Sequence, residues 1–438
     1  MKLPINLPDE RLEKRYSGLV GGAMQTAKAT SPGLAVPASV EKSFAVTQAT
    51  WRFFDNERVT PGDLVAPLRH FAQEQIGDDA YVLAIVDWSK IDYKKHTAKK
   101  DVVQLTRQHD VGYELATRLL VDTRNGRPIA PIQMHMKTAD GYLSTAEVAP
   151  GPERRLEQVT PMMQAAAQTG FSATIIHVID READSVFHLR ERSAGGFKFL
   201  VRGDDDRIVK WRDKNVNCRK IKDELEAEGA FEWKRDVTIK GKGAVQHIAE
   251  TEIIPDRPAK RKNGKRSVSV PGETLALRLV IAKVVDPETG KVLSIWYLLT
   301  NVPPDVSAAT ALWYYWRWEI ESYFKLMKSG GQELEHWQQE TGLAILKRLL
   351  AVSMATALVW SLQRDESPES TAFQAVLVRL SGRRLARGRP PTPGVLLSGL
   401  FVLLRMFDFL DHIDFDLAQI GQLKTSFQQL MPGVLKDV

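Results

Sequence analysis

The chain has 438 residues, 43% hydrophobic and 26% charged, the proportions of a soluble globular protein with room for two or three domains. Its single cysteine, Cys218, excludes an intramolecular disulfide framework and a cysteine-rich zinc site. The net charge of +6, from 60 basic and 54 acidic residues, permits a polyanionic partner without requiring one.

The N-terminus, MKLPINLPDERLEKR, lacks the apolar core of a signal peptide. The pattern predicts helices over Asp9–Lys28 and Val40–Asp55, separated by the proline-containing loop TSPGLAVPAS at 30–39. Thr60 and Pro61 predict the cap and first turn of a third helix. This helical region, 1–78, would offer Lys28, Lys42 and Arg52 to DNA.

At Tyr81 the pattern changes. YVLAIVD is an apolar, β-branched run ending in Asp87 and predicts a buried strand. Asp87 is followed by the basic loop WSKIDYKKH, in which Lys94 and Lys95, with Lys99 and Lys100 beyond, suit a polyanion. Tyr113–Asp122 and Pro128–Lys137 predict two strands turning through TRNGR, where Asn125-Gly126 signals a hairpin. Glu157–Thr169 predicts a helix that stops at Gly170. SATIIHVID predicts a second buried strand ending in Asp180, and READSVFHLRER a helix after it. The order strand, hairpin, helix, strand, helix over 79–196 implies an α/β sheet with an antiparallel flank.

Residues 197–305 read as a β-rich insertion, with strands in FKFLVR, EWKRDVTI, LALRLVIAKVVD and SIWYLLT. Within it RPAKRKNGKR, residues 257–266, has six basic residues and no acid, and predicts an exposed basic loop. Helices return after Ala308: 306–365 would complete the core. The helical region 366–438, interrupted by a basic Pro/Gly-rich break at 381–394 before a final apolar helix at Val395–Phe407, carries more Leu and Phe than a small lobe needs and suits a partner surface. The longest uncharged apolar stretch, Leu349–Leu362, is too short to span a bilayer.

The chemistry concentrates in YYWRWEIESYFKLMK, residues 314–328. At about 100° per residue, Tyr314, Arg317, Glu321 and Lys328 fall within roughly 80° of one helix face, with Lys325 in the same arc. A carboxylate flanked by cations and a phenol suits metal-assisted chemistry on a phosphodiester. The same spacing also suits an ion-paired helix in which Glu321 meets Arg317 and Lys325 at i±4. Asp87 and Asp180, each closing an apolar strand, would emerge at one sheet edge if the strands are parallel neighbours. With Glu321 they form an oxygen-only set for two Mg²⁺ ions, or Mn²⁺ in their place. Asp92 and Asp101 are rivals of Asp87, and Asp184 is a rival of Asp180.

Tyr314-x-x-Arg317-x-x-x-Glu321, closed by Lys328, resembles the Y-(2)-R-(3)-E-(6)-K signature of bacterial DDE transposases of the insertion-sequence-four family. VIDREAD and AIVD resemble that family's two aspartate segments, and the similarity extends from ATWRFFDN to the C-terminal helices. The residues after Asp87 depart from the small hydroxyl residues of some relatives. The resemblance implies a ribonuclease-H-like catalytic core of α/β class, interrupted by a β-rich insertion and flanked by N- and C-terminal helical domains. It implies Asp87, Asp180 and Glu321 as catalytic metal ligands. Tyr314, Arg317, Lys325 and Lys328 would contact transposon-end phosphates, with Arg202 near them. Trp296 would stack on a flipped base. The implied activity is cut-and-paste transposition: cleavage at the terminal inverted repeats, a hairpin intermediate, and joining of 3′ ends to target DNA. The implied setting is the bacterial cytoplasm at the nucleoid, with double-stranded DNA and a second protomer in a synaptic dimer as partners, and no membrane. A nuclease without strand transfer and a non-catalytic end-binding regulator are the competing expectations.

Overall fold

The computed structural model describes residues 3–24, 43–146, 155–239, 242–255, 259–263, 266–270, 272–304, 307–385, 390–412 and 422. Lys28, Lys42 and the loop at 30–39 lie outside them. The chain opens with helices α1 (Glu10–Met24), α2 (Ser43–Asp55) and α3 (Pro61–Ile76). Thr60 caps α3 as expected. Its hydroxyl accepts from the Asp63 amide at 3.2 Å while Asp63 accepts from the Thr60 amide at 2.8 Å, so each satisfies an amide the helix leaves free.

There follow β1 (Tyr81–Asp92), β2 (Val103–Gln104), β3 (Val111–Asp122), β4 (Pro128–Thr138) and β5 (Gly141–Ser144). Next come α4 (Arg155–Ala167), β6 (Thr174–Ile179), a short 3₁₀ turn Arg181–Ala183, α5 (Val186–Ala194) and β7 (Lys198–Gly203). The strand-rich segment holds β8 (Ile208–Trp211), β9 (Lys214–Asn217), α6 (Cys218–Ala227), β10 (Trp233–Ile239) and β11 (Lys242–Ile253). It continues with β12 (Ala259–Asn263), β13 (Arg266–Val270), β14 (Leu277–Val285) and β15 (Val292–Thr300). The rest is helical: α7 (Ser307–Tyr315), α8 (Trp318–Lys328), α9 (Gly342–Arg364), α10 (Pro368–Leu380) and α11 (Pro393–His412).

One mixed sheet organises the molecule, in the order β10-β11-β14-β15-β7-β6-β1-β3-β4-β5. β1 pairs in parallel with β6, and β6 with β7. β1, β3 and β4 are antiparallel neighbours, as are β7, β15, β14, β11 and β10. The fold is therefore α/β with an antiparallel flank on each side. The strand-rich segment extends the edge of this same sheet beyond β7.

Four local expectations are corrected. β1 does not end at Asp87 but runs to Asp92 along β3; what ends at Asp87 is the parallel pairing, whose last register is Val86 with Ile179. The helix expected from Arg181 begins only at Val186, because Asp180 first caps the 3₁₀ turn through the Arg181 amide. The basic segment at 257–266 carries β12, which pairs antiparallel with β13, beginning at Arg266. The signature is split between α7 and α8 by a tight turn rather than carried on one helix.

The larger core lies between the sheet and α9, and a second lies against α4, α5 and α6. Helix α9 is the only one among the described residues long and apolar enough to cross a membrane, but 89% of its most apolar window is buried inside the protein. It packs on α1, α3, α2, β4 and α11. A helix apolar all round belongs inside a core, and its two buried cations have partners. Lys347 donates to the Asn56 carbonyl at 2.9 Å, and Arg348 to Gln339 Oε1 at 3.1 Å while lying over the Trp337 ring.

Candidate active site

The parallel pairing of β1 and β6 ends at Val86 and Ile179, which places Asp87, within β1, and Asp180, just past β6, at one edge. Each carboxylate is oriented by the next amide in the chain: Trp88 donates to Asp87 Oδ1 at 2.8 Å, and Arg181 to Asp180 Oδ1 at 2.7 Å. The first turn of α8 delivers Glu321 to the same edge, since α8 lies against β1 and β3.

Arg317 joins the three. One guanidinium nitrogen donates to Asp87 Oδ2 at 2.9 Å; the other donates to Glu321 Oε1 at 3.0 Å and lies 3.8 Å from Asp180 Oδ2. Tyr314 completes the group, its hydroxyl donating to Asp180 Oδ1 at 3.1 Å. The helix break explains how both reach in. From 314 to 320 the backbone tightens to i→i+3 bonds, Arg317 to Tyr314 at 3.0 Å and Ile320 to Arg317 at 3.3 Å. Tyr314 and Arg317 therefore sit at a corner facing the strand ends.

The site is an open face at its acidic rim and buried at its cationic centre. The side chains of Asp180 and Glu321 are 40% and 43% exposed, against 9% for Arg317. Burial pushes the Asp87 carboxyl up. The Trp88 amide and Arg317 oppose that shift, and Asp180 and Glu321 add to it. Burial likewise raises the Tyr314 phenol, helped by Asp180 and opposed by Arg317 and Arg202. Burial disfavours the Arg317 charge, but Asp180, Tyr314, Asp87 and Glu321 outweigh it. A further positive charge at this edge would find three carboxylates whose mutual repulsion it relieves.

The other expected residues divide. Arg202, on β7, is half-buried and near enough to Tyr314 for its charge to act there. Trp296, on β15, packs edge-on against Tyr314 at 5.7 Å between ring centroids and stacks on Tyr315 at 6.2 Å. Lys328 is committed elsewhere: its ammonium donates to the Lys90 carbonyl and pairs with Glu335 at 3.4 Å. Lys325 is exposed and lines a cavity of 620 Å³ between α8, the β3–β4 turn and the start of α11. Arg52 is exposed on α2, away from the carboxylates, and Lys28 lies outside the described residues.

The rival aspartates are structural. Asp101 accepts from Tyr113 and from the Gly342 amide, with both oxygens 3.0 Å from that amide, at the start of α9. Asp92 accepts from the Lys94 amide, and Asp184 is buried against Arg207. The basic loop is less free than its composition implies. Lys94 pairs with Asp92 and Lys100 with Glu340; Lys99 donates to the Trp337 and Gln339 carbonyls. Two residues were missed. Arg155, at the start of α4, pairs with Glu114, lies 3.7 Å from Glu182 and acts electrostatically on Asp87. Trp318, 53% exposed, has the Arg317 guanidinium 5.4 Å from its ring centroid. Arg155 belongs to no spacing pattern, whereas an exposed Trp on the polar side of α8 was a usable signal.

Among the described residues, no group of three or more His, Cys, Asp and Glu is placed to hold a metal ion; the three carboxylates meet through Arg317. Their donor chemistry nonetheless fits a hard divalent cation, being oxygen-only, anionic and convergent on one positive charge. Compared with models of known protein families, the chain matches none.

Proposed function

We propose that the chain is a DDE transposase of the insertion-sequence-four kind, with a ribonuclease-H-like core. It would bind transposon ends, cut them by two-metal phosphoryl transfer through a hairpin, and join the 3′ ends to target DNA. The observation that carries this reading is the convergence of Asp87, Asp180 and Glu321 from the end of the parallel β1–β6 pairing and from a helix, segments separated by long stretches of sequence. The antiparallel β1, β3 and β4 followed by parallel β6 and β7 support the core assignment.

In this reading Asp87, Asp180 and Glu321 hold two Mg²⁺ ions. When bound, such ions activate the attacking oxygen and stabilise the leaving one. Arg317, a planar fork, grips a backbone phosphate, and Arg202 and Tyr314 line its approach. Trp296, one ring away from Tyr314, offers a stacking face to an unpaired base. The exposed acidic rim suits a duplex, which an enclosed pocket would not admit. Two protomers would synapse two ends through the C-terminal helices, in the bacterial cytoplasm at the nucleoid.

The test is a cleavage assay. The protein, Mg²⁺ and a labelled duplex carrying the repeat from DNA flanking the gene are incubated, with Asp180→Ala beside it. A nick followed by a hairpin, absent in the variant, is the expected outcome. End binding with no cut by the unaltered protein would favour a regulator, and cutting without joining a pre-cut 3′ end would favour a nuclease.

A further inference from the structure

Arg317 holds the oxygens that a cation would need. Its two terminal nitrogens contact Asp87 Oδ2 and Glu321 Oε1 and approach Asp180 Oδ2, all in one plane-forming fork. A guanidinium and a divalent cation cannot share those oxygens without close like-charge repulsion. Resting on the transposase reading, we propose that Arg317 is a gate on the metal site. It closes the carboxylate set in the DNA-free protein, and a DNA backbone phosphate draws it off, so that the cations enter after the DNA.

Geometry supports the closed state. The guanidinium lies within 3.8 Å of all three carboxylates and bridges Asp87 to Glu321. The exit supports the open state. Arg317 lies beside exposed Trp318 and behind half-exposed Asp180 and Glu321, so to meet a phosphate on that face the guanidinium must swing out past the carboxylates it now holds. A phosphate offers the same bidentate oxygens as a carboxylate and satisfies the same donors. Lys328 does not substitute, since it is tied to the Lys90 carbonyl and Glu335. Linkage makes the coupling reciprocal: whatever DNA gains in affinity from bound cation, the cation gains from bound DNA.

The test is Mn²⁺ binding to the full chain without DNA, read from the electron paramagnetic resonance signal of the free ion. Wild type is compared with Arg317→Gln and Arg317→Lys, and circular dichroism reports folding. Arg317→Gln is expected to bind Mn²⁺ roughly ten-fold tighter than wild type or better, the scale of a close, partly buried charge pair. Arg317→Lys, which keeps the charge and loses the fork, is expected to fall between. Sulfate, standing in for the phosphate, should tighten Mn²⁺ binding in wild type and not in Arg317→Gln. A gain in affinity shows that the Arg317 charge opposes the cation, and loss of the sulfate effect in Arg317→Gln isolates the gate. Equal affinities in all three proteins would overturn the gate and leave the metal reading standing. No Mn²⁺ binding by any of them would overturn both. Should Arg317→Gln fail to fold, Arg317→Lys and the sulfate series carry the same decision.

Discussion

Three aspartates, Asp87, Asp180 and Asp101, differ in what they touch. Asp87 takes the Trp88 amide on Oδ1 and Arg317 on Oδ2, whereas Asp180 takes both the Arg181 amide and the Tyr314 hydroxyl on Oδ1 and turns Oδ2 toward Arg317. Asp101 spends both oxygens on the first amide of α9 and on Tyr113, all buried. Removing it leaves a helix start and a buried phenol without a partner. Asp101→Ala should therefore lower stability by roughly 2–4 kcal/mol, adding the loss of a cap to that of a buried hydrogen bond. Urea denaturation measures this, and a loss below about 0.5 kcal/mol would show that the carboxylate caps nothing. Asp87 and Asp101 were distinguishable in sequence only by the apolar strand before Asp87. That Asp101 caps a helix more than two hundred residues away could not be read from its neighbours.

At the scale of elements, the junction between α7 and α8 sets the geometry of the site, and the β3–β4 turn buttresses it. Gly126 in that turn has φ +71°, and a Cβ there would lie 2.2 Å from the Trp316 indole nitrogen. Trp316 immediately precedes Arg317. Gly126→Ala meets both a left-handed backbone and an overpacked indole, so it should cost roughly 2–4 kcal/mol. Guanidinium denaturation gives the loss. A near-neutral result would mean the indole swings aside freely and does not brace the junction. The Asn-Gly signal did locate this hairpin. What it could not indicate was that the turn packs on the signature, because turn propensity is local and the contact spans 190 residues.

Across the whole molecule, the sheet is sealed by a buried polar layer that reports on acid. Burial and Arg118 push His135 down to about 4, against the bond from Gln158. Burial, Arg118 and Arg192 push His177 well below its ordinary range. Both rings are therefore neutral when folded, while in the unfolded chain they bind a proton near pH 6.5. Their contribution is complete above pH 6.5 and is lost as pH falls from there toward 4. The shift of His135 alone corresponds to about 3 kcal/mol. Denaturant midpoints at pH 7 and pH 4.5 should differ accordingly, with the difference reduced in His135→Gln. An unchanged midpoint across that range would place these histidines in contact with solvent.

Local pattern determined the elements: the apolar strand runs leading into Asp87 and Asp180, the Thr60 cap, the hairpin and the four-residue signature. These depend on side-chain periodicity and on turn chemistry, which neighbouring residues carry. Tertiary structure alone decided that β1 and β6 are parallel neighbours, that β1 passes on through Asp87, and that the helix breaks between Tyr315 and Trp318. It also assigned the lysines after Asp87 largely to ion pairs and carbonyls, and Arg317 to the centre of the carboxylates. A charge chooses its partner by distance and burial, and both are fixed only when distant segments pack.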